Sequence, residues 1–295
     1  MVIDSHTHAF PSEAILNPEG WATRHNEDHW KQLVIPANGS PSLQGWVNRE
    51  EFLSKMREDR VEGVVLLGWY WQNPDSCLEQ NEEIVEWRRS DPGKFRALAS
   101  VHPKGPSPEE MVTWAVDHDF SGFGEILPQV QNSNLGDPFW NELASIASDA
   151  GLLFNFHVTE PVGRFHSGKI DTPFSDLQEF ILRHPDLKIV LSHWGAGLFL
   201  HELNPYIRNL FRNVYYDSAA SPLLYEPSIF ENACHVLDPR KILFGSDYPL
   251  RLYPRSEKKP GWSRFLREIQ EQQIEPSVLA GILHGNANSL FGFGR

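Results

Sequence analysis

Two histidines near the N-terminus, His6 and His8, have the spacing of a pair of metal ligands. They close a short apolar run, and alternate side chains of a strand point to the same side. Two residues of strand span about 6–7 Å, so both imidazoles can meet at one ion. Histidines that pack in a core or lie on a surface show the same spacing, and the pair alone is therefore a weak signal.

Three more groups that can bind metal or carry protons end apolar runs further along the chain. His157 follows Leu-Leu-Phe-Asn-Phe, His193 follows Ile-Val-Leu-Ser, and Asp247 follows Ile-Leu-Phe-Gly-Ser. A polar residue that closes one strand is often only a satisfied strand end. Four strands that close in this way are harder to explain by packing alone, and imidazole with carboxylate suits Zn²⁺, Mn²⁺, Fe²⁺ or Co²⁺.

The elements that carry these groups alternate between short apolar runs and longer amphipathic stretches. This pattern is typical of βαβ units around a parallel sheet. Eight runs are predicted to be strands, at residues 2–4, 61–67, 95–101, 122–127, 152–157, 187–193, 214–217 and 242–247. Eight units predict an α/β fold of the (β/α)8 TIM-barrel type, in which the strand ends meet at one catalytic mouth. A doubly wound sheet would instead carry a glycine-rich turn after its first strand, where this chain has His-Thr-His.

Residues 1–295 are therefore predicted to form a single domain with two additions to the barrel. A long insertion follows the first strand, at about residues 9–45, and it contains His25 and His29. At the catalytic face such a segment is usually a lid or a binding loop, although its two histidines are interpreted as surface residues. Residues 276–290 predict an extra C-terminal helix or a pair of helices.

Together these motifs resemble the amidohydrolase superfamily, and most of all its branch of amidohydrolase-related TIM-barrel hydrolases and decarboxylases. The resemblance rests on His-Thr-His at 6–8, strand-end His157, Ser-His-Trp-Gly at 192–195, and Gly-Ser-Asp-Tyr-Pro at 245–249 followed by Gly-Asn-Ala at 285–287. It covers nearly the whole chain, and its motifs are specific only in combination. It implies that His6, His8, His157 and Asp247 hold a divalent metal ion, with Zn²⁺ expected first, and that His193 and Asp247 are catalytic.

Glu125 closes the fourth run, within Ser-Gly-Phe-Gly-Glu-Ile, and leaves the number of metal ions open. Many two-metal members of the superfamily that the chain resembles have a bridging carboxylated lysine or glutamate there, whereas the one-metal decarboxylase branch does not use such a ligand. Glu125 is therefore a candidate bridge, with His157 and His193 on a second ion. Otherwise it supports the ligands or binds substrate. One ion is favoured, and two remain an alternative.

Five residues in the loops of the predicted mouth are candidate substrate contacts. They are Arg164, His166 and Lys169 after the fifth strand, Trp194 after the sixth and Arg251 after the eighth. Arginine binds carboxylate or phosphate in a two-point geometry, so the group favours an anionic small molecule. Each charge taken singly is equally a solvated loop residue, and a loop tryptophan is equally a packing residue.

The function predicted first is metal-dependent hydrolysis of an ester, a lactone or an amide. A divalent metal lowers the pKa of bound water from about 15.7 toward 7, Asp247 takes and returns the proton, and His193 stabilises the oxyanion. Two alternatives stay open. The same site can serve non-oxidative decarboxylation of an aromatic or unsaturated carboxylic acid, and the barrel can also be metal-independent or non-catalytic.

Composition argues against several other classes of protein. The formal net charge of −13 opposes binding to nucleic acid, which favours a basic surface. The apolar runs are too short for a membrane span, and the N-terminus lacks the features of a signal peptide. Cys77 and Cys234 form no paired thiolate motif, so a cytoplasmic protein is expected. The expected partner is a small-molecule substrate, and a homo-oligomer is left open.

Overall fold

Within residues 1–36, 39 and 41–293, which the computed structural model describes, eight strands pair in chain order. They are β1 (Ile3–His8), β2 (Gly63–Leu67), β3 (Phe95–Ala99), β4 (Gly122–Ile126), β5 (Leu153–Phe156), β6 (Ile189–Leu191), β7 (Val214–Asp217) and β8 (Ile242–Leu243). Every neighbouring pair is parallel. Each predicted apolar run overlaps one of these strands, although β1 extends four residues beyond the first run, and the predicted (β/α)8 barrel is confirmed.

Backbone hydrogen bonds between β1 and the segment after β8 close the barrel. Ser5 N–H donates to the Phe244 carbonyl (2.8 Å), Asp247 N–H donates to the His6 carbonyl (2.9 Å), and His8 N–H donates to the carbonyl of the following Tyr248 (2.8 Å). These bonds hold Asp247 beside β1 although the two segments come from opposite ends of the chain. Since β8 ends at residue 243, Asp247 lies in the loop beyond the strand and not at its end.

Irregularities in β1 and β4 turn two of the candidate ligands toward the interior of the barrel. The pairing of β1 with β2 shifts within residues 4–7, and the pairing of β4 with β5 shifts within residues 123–126. Such a bulge adds one residue to one strand and re-aims its side chains. His6 and Glu125 lie in these shifted segments, and His6 Nε2 approaches Glu125 Oε1 to 3.9 Å.

Helices connect the strands and cover the outside of the barrel. They are α4 (Arg49–Asp59), α5 (Pro74–Ser90), α6 (Pro108–Asp117), α7 (Pro138–Asp149), α8 (Phe174–Arg183), α9 (Pro205–Leu210), α10 (Ser221–Leu224), α11 (Ile229–Val236) and α12 (Ser263–Gln270). The amphipathic stretches at 198–210 and 222–234, which the sequence pattern predicts as single helices, are each broken, because Pro205 and Pro227 cannot continue a helix that precedes them. Before α9, the segment His193–Leu203 begins with a left-handed turn and continues as 3₁₀ turns. Among the described residues, none of the helices combines the length and the apolar character of a membrane span.

Both faces of the barrel strands are buried. Val65, Leu98 and Val190 belong to an inner core that also includes Ala287 and Phe291. The last two residues belong to helix α14 (Asn286–Phe291), which follows α13 (Pro276–Ala280) and a π-helical turn. The predicted C-terminal pair of helices is thus present, and it packs against the inner core.

The insertion after β1 folds as a packed cap. Its described part contains helices α1 (Ser12–Leu16), α2 (Pro18–His25) and α3 (Asp28–Val34). Trp21 and Trp30 are buried there against Trp71, which lies in the loop after β2. Each of these three indoles contacts the other two. The segment is therefore packed against the barrel mouth and is not the irregular loop that the sequence suggests.

Hydrogen bonds attach the cap to the loops that follow β2 and β8. Both carboxylate oxygens of buried Glu27 accept backbone N–H groups, from Gln72 and Asn73, at 2.9 Å each. At the other edge, Arg251 N–H donates to the Leu43 carbonyl (2.8 Å). The cap and these two loops of the barrel mouth therefore hold one another in place.

Candidate metal centre

Imidazole and carboxylate side chains converge at the carboxyl ends of the strands. Among the described residues they form two groups that share Glu125, one with His6 and His8 and one with His157 and His193. Within each group the ligand atoms lie within 4.8 Å of one another. The shared carboxylate is only 3% exposed, so it stands between the two groups with little access to water.

The first group is built on β1. His6 Nε2 and His8 Nε2 are 3.2 Å apart, and the two oxygens of Glu125 lie 3.9 and 4.0 Å from them. Asp247 completes the group, because its Oδ1 is 3.4 Å from His8 Nε2 and 3.9 Å from His6 Nε2. Asp247 thus adds a carboxylate oxygen beside both histidines of β1.

The second group joins the loops after β5 and β6. His157 Nδ1 lies 2.9 Å from Glu125 Oε1, and His193 Nε2 lies 3.4 Å from the same oxygen. The two nitrogens are 3.3 Å apart. The family resemblance assigns His157 to the same ion as the histidines of β1, whereas the structure brings it closest to Glu125 and His193.

The spacing and the chemistry of these donors fit a divalent metal ion. Zinc-type ions bind such nitrogens and oxygens at about 2.0–2.2 Å, which puts two ligands of one ion about 3–4 Å apart. The separations within the groups run from 2.9 to 4.0 Å. Mixed imidazole and carboxylate donors suit Zn²⁺, Mn²⁺, Fe²⁺ and Co²⁺.

Asp217, at the end of β7, orients the ligands from behind. Its Oδ2 accepts a hydrogen bond from His6 Nδ1 (2.9 Å) and another from the Asn155 amide (3.4 Å). Its Oδ1 accepts the backbone N–H groups of His193 (3.1 Å) and Ala219 (3.0 Å). Sequence reasoning gives this residue no role, although its run closes on a carboxylate as the run before Asp247 does.

In three of the four imidazoles, those of His6, His8 and His193, a hydrogen bond on the far side fixes which nitrogen faces the cluster. His8 Nδ1 lies 3.3 Å from the Leu67 carbonyl, and His193 Nδ1 lies 3.0 Å from the Ala219 carbonyl. Because a carbonyl only accepts, Nδ1 carries the hydrogen in both rings. Nε2 is therefore the nitrogen that can bind a metal ion in these rings and in His6, once any proton on it has been released.

The buried charges of the cluster shift one another's pKa values. Burial by itself raises the pKa of Glu125, but His157, His193 and His6 together hold it well below its usual range. Burial by itself lowers the pKa of His6 and His193, but neighbouring carboxylates raise these pKa values to about 9 and about 10. The metal-free cluster therefore holds protons at neutral pH, and metal binding must release them.

His193 and Asp247 both have left-handed backbone, with φ of 57° and 68°. A residue with a side chain pays about 1–3 kcal/mol for such a conformation and keeps it only where its surroundings enforce it. Here the N–H of His193 is held by Asp217 and the N–H of Asp247 by the His6 carbonyl. These two bonds fix the backbone that presents both side chains to the cluster.

The predicted substrate contacts are dispersed. Arg164 and His166 are exposed in the loop after β5, and Lys169 is half-buried there. Arg251 is half-buried and donates to the Ser42 carbonyl of the cap. Trp194 requires a correction, because its side chain is fully buried.

Trp194 has no surface to offer a substrate. Its indole N–H donates to Ser221 Oγ (2.6 Å), and its ring meets Phe230 edge-on at 5.0 Å. The left-handed turn that begins at His193 directs this side chain into the apolar core between the strands and the helices. The predicted substrate contact is therefore wrong for Trp194, and its role is packing.

Three aromatic side chains that sequence reasoning did not assign to the site form what we call the aromatic wall: Phe10, Trp69 and Tyr70. Phe10 stacks on His8 at 5.9 Å between ring centroids, and Trp69 meets the same imidazole edge-on at 5.1 Å. Tyr70 stacks on Trp69 at 4.5 Å and lies 5.3 Å from His157. The loop tryptophans are a sequence signal for such a wall, but they do not show which of them face the metal-binding groups.

Known proteins resemble this chain in sequence and in fold. A protein-family model described as amidohydrolase matches residues 3–293 of the chain. Among curated proteins, no match to the sequence was found.

Solved structures share the fold over nearly the whole chain. For the 5-carboxyvanillate decarboxylase of Sphingomonas paucimobilis the TM-score is 0.74, with 18% identity over 99% of this chain and 98% of that one. A dihydroxybenzoic acid decarboxylase from Polaromonas sp., solved with manganese and the inhibitor 2-nitroresorcinol, gives 0.66 and 15% over 100% and 97%. The 4-oxalomesaconate hydratase of Rhodopseudomonas palustris gives 0.65 and 15% over 99% and 96%. At these identities the likeness establishes a common fold.

Proposed function

The chain belongs to the amidohydrolase family, and from that membership we propose that it is a metal-dependent decarboxylase of a small aromatic or unsaturated carboxylic acid. The sequence alone favours hydrolysis and keeps decarboxylation as the alternative. Two of the structural neighbours described above are decarboxylases and one is a hydratase. These neighbours support decarboxylation ahead of hydrolysis.

The observation that carries this proposal is the aromatic wall beside the donor cluster. Phe10 and Trp69 contact the imidazole of His8, and Tyr70 lies against that of His157. A flat, unsaturated acid can pack against Trp69, the partly exposed member of the wall, while Phe10 and Tyr70 support this indole and the carboxylate faces the metal-binding groups. An open, water-filled mouth would favour a flexible polar substrate instead.

Solvent reaches the cluster from one side. The side chains of His157 and Asp247 are 21% and 16% exposed, whereas those of the other donors are 8% exposed or less. A substrate therefore approaches on the side of these two residues. The cap closes the opposite approach near His8, where Phe10 and Trp30 pack together.

His6, His8, Glu125 and Asp247 are the residues proposed to hold the metal ion. We propose Mn²⁺ or Zn²⁺, because the mixed donor set accepts both and a neighbour was solved with manganese. A bound divalent ion would supply positive charge that attracts the oxygen atoms of the substrate and stabilises negative charge in the transition state.

In decarboxylation the bond breaks between the carboxylate group and the substrate carbon that carries it. The electron pair of this bond stays on the substrate carbon, and the carboxylate group leaves as carbon dioxide. The substrate carbon then takes a proton. Asp247 is placed to deliver this proton, since it is the more exposed of the two carboxyl groups in the cluster. Glu125 is a poor proton donor, because it is buried and is itself proposed to hold the ion. His193, whose Nε2 lies 3.4 Å from Glu125 and which is not among the proposed metal ligands, is placed as a hydrogen-bond donor for a substrate oxygen.

Hydrolysis of an ester, a lactone or an amide is a second candidate because of one observation, the position of Glu125 between two donor groups. A carboxylate that bridges two ions is suited to activating water between them. In that case His157 and His193 would hold the second ion, and Asp247 would take the proton of the attacking water.

Product analysis over a substrate panel separates the two candidates. The chain is stripped of metal, reloaded with Mn²⁺ or Zn²⁺, and incubated with hydroxybenzoates, unsaturated dicarboxylates, aryl esters and lactones. We expect metal-dependent release of carbon dioxide from at least one acid, with no acid released from esters or lactones. Acid release without carbon dioxide would replace the decarboxylase proposal with the hydrolase one.

A further inference from the structure

Asp4, on β1, is a buried carboxyl group to which the metal site described above gives no role. Its side chain is fully buried, two residues before the proposed ligand His6. The four hydrogen bonds that it accepts all come from uncharged groups. Burying a carboxyl group costs free energy unless its oxygens are well bonded, so the partners of Asp4 indicate what this residue does.

Each oxygen of Asp4 accepts two hydrogen bonds, and three of the four donors come from beyond β8. Oδ1 accepts the backbone N–H groups of His6 and Ser246, at 3.0 Å each. Oδ2 accepts the indole N–H of Trp262 (2.6 Å) and the hydroxyl of Ser246. One carboxylate therefore ties the first strand of the barrel to the loop that carries Asp247.

The two chain neighbours of Asp247 are both fixed by this arrangement. Ser246 bonds to Asp4 through its backbone and its hydroxyl, and the same hydroxyl oxygen accepts the N–H of Tyr248 (3.0 Å). The ring of Tyr248 stacks on Trp262 at 3.9 Å between centroids. Asp247 itself has left-handed backbone, which a residue with a side chain keeps only where its surroundings enforce it. The bonds of Asp4 are part of what holds this turn.

We propose that Asp4 is a positioning residue that acts through Asp247. By fixing the turn at residues 246–248, it keeps Oδ1 of Asp247 at 3.4 Å from His8 Nε2 and 3.9 Å from His6 Nε2. From this place the carboxylate can hold the metal ion and deliver the proton, so the inference rests on the proposed role of Asp247. It applies to decarboxylation and to hydrolysis alike, because both assign the proton to this residue.

The positioning requires a carboxylate at residue 4, because three of its four donors cannot reverse. Backbone and indole N–H groups only donate, and either orientation of an amide would place its NH₂ against at least one of them. If the amide oxygen stays with the two backbone groups, the NH₂ faces the indole of Trp262. A buried donor that loses its acceptor is costly. Asp4→Asn should therefore displace the turn, although the side chain keeps its size.

A double-mutant cycle on metal affinity tests whether Asp4 acts through Asp247. Zn²⁺ affinity is measured by chelator competition for wild type, Asp4→Asn, Asp247→Ala and the double variant. We expect Asp4→Asn to weaken binding about 10- to 100-fold, the usual effect of losing a group that orients a ligand. In the Asp247→Ala background no carboxylate is left to position, so the same change should alter the affinity by no more than about twofold. Equal losses in both backgrounds, or no loss in wild type, would overturn the inference.

Ser246→Ala is a milder change in the same set of contacts, for the case in which Asp4→Asn does not fold. It removes only the hydroxyl that joins Asp4 to Tyr248. Zn²⁺ binding should weaken about 2- to 10-fold while Asp247 is present and stay unchanged in Asp247→Ala. A loss of the same size in both backgrounds would count against the inference.

Trp262 offers a rescue and Asp59 a matched control. Adding Trp262→Phe to Asp4→Asn removes the opposed N–H group and should restore part of the Zn²⁺ affinity, whereas a further loss would contradict the proposed conflict. Asp59 is another buried aspartate that accepts the backbone N–H of Trp262 (2.8 Å), but its other partners are Ser263 and Lys55. Asp59→Asn should therefore keep wild-type Zn²⁺ affinity, and a loss as large as that of Asp4→Asn would overturn the inference.

These measurements need no substrate, so they separate the role of Asp4 from the proposed function. Coupling between Asp4 and Asp247 without carbon dioxide release from the substrate panel would remove only the decarboxylase proposal. Carbon dioxide release with independent effects of the two substitutions would remove only the role of Asp4. A wild type that binds no Zn²⁺ would remove both.

Discussion

Replacing Asp217 with asparagine tests whether the donor cluster binds a metal ion and whether the carboxylate of Asp217 orients its ligand His6. Asp217 and His6 are both 0% exposed, and the carboxylate accepts the Nδ1 hydrogen of His6 at 2.9 Å. Asparagine keeps an oxygen for the backbone N–H groups of His193 and Ala219 but can turn its amide NH₂ toward His6. The imidazole must then accept at Nδ1, which moves its hydrogen to Nε2, the nitrogen that faces the ion.

The size of the effect follows from this exchange of tautomers. Loss of an outer partner of a ligating histidine typically lowers metal affinity about 10- to 100-fold, or roughly 1.4–2.7 kcal/mol. The upper end is expected in Asp217→Asn, because no water reaches the pair to replace the lost charge. The protein should still fold, since the two backbone hydrogen bonds of Asp217 can be kept.

Chelator competition with Mn²⁺ or Zn²⁺, followed by elemental analysis, measures this affinity. Asp59→Asn is the control, because Asp59 is also a buried aspartate but binds Ser263, Trp262 and Lys55 instead of a histidine. An Asp217→Asn protein with wild-type metal affinity and a normal unfolding transition would refute the orientation argument. Equal losses in both variants would show that the effect is one of general stability.

Three further predictions concern the remaining carboxyl groups. Asp247→Asn should lower kcat by about 10²- to 10⁴-fold with most of the metal still bound, because a proton carrier is lost while three donors remain; full activity would contradict the assignment. Metal-loaded wild type should hold one ion per chain, and Glu125→Gln should bind it at least roughly 10-fold more weakly; two ions in wild type and one in the variant would instead identify Glu125 as a bridge. Burial raises the pKa of Glu27 from 4.5 to about 7, so the folded state holds this proton more tightly than the unfolded chain, and the free energy of unfolding should fall as pH rises through that window. Urea unfolding should show that Glu27→Gln removes a decline of about 3 kcal/mol, and parallel pH profiles for the two proteins would count against it.

Much of the fold and part of the site could be predicted from the sequence, because both depend on local patterns. Apolar runs alternate with amphipathic stretches, and in a parallel barrel that pattern alone requires the strand ends to meet at one mouth. The sequence pattern therefore predicts that His6, His8, His157 and Asp247 lie near one another. Trp194 was misassigned for the same local reason, since its neighbour His193 is at the site while the left-handed turn directs the indole into the core.

The tertiary structure alone decided how the donors are grouped and what stands behind them. Whether His157 faces the histidines of β1 or Glu125 depends on the register between strands, which bulges in β1 and β4 alter, and bulges leave no clear mark in a single sequence. The bond of Asp217 to His6 and that of His29, which is buried and not on the surface as the sequence suggests, to Gly168 each join segments far apart in the chain. Sequence patterns record what each segment buries, but the side-chain contacts that orient a ligand or attach the cap to a loop exist only once distant segments have packed together.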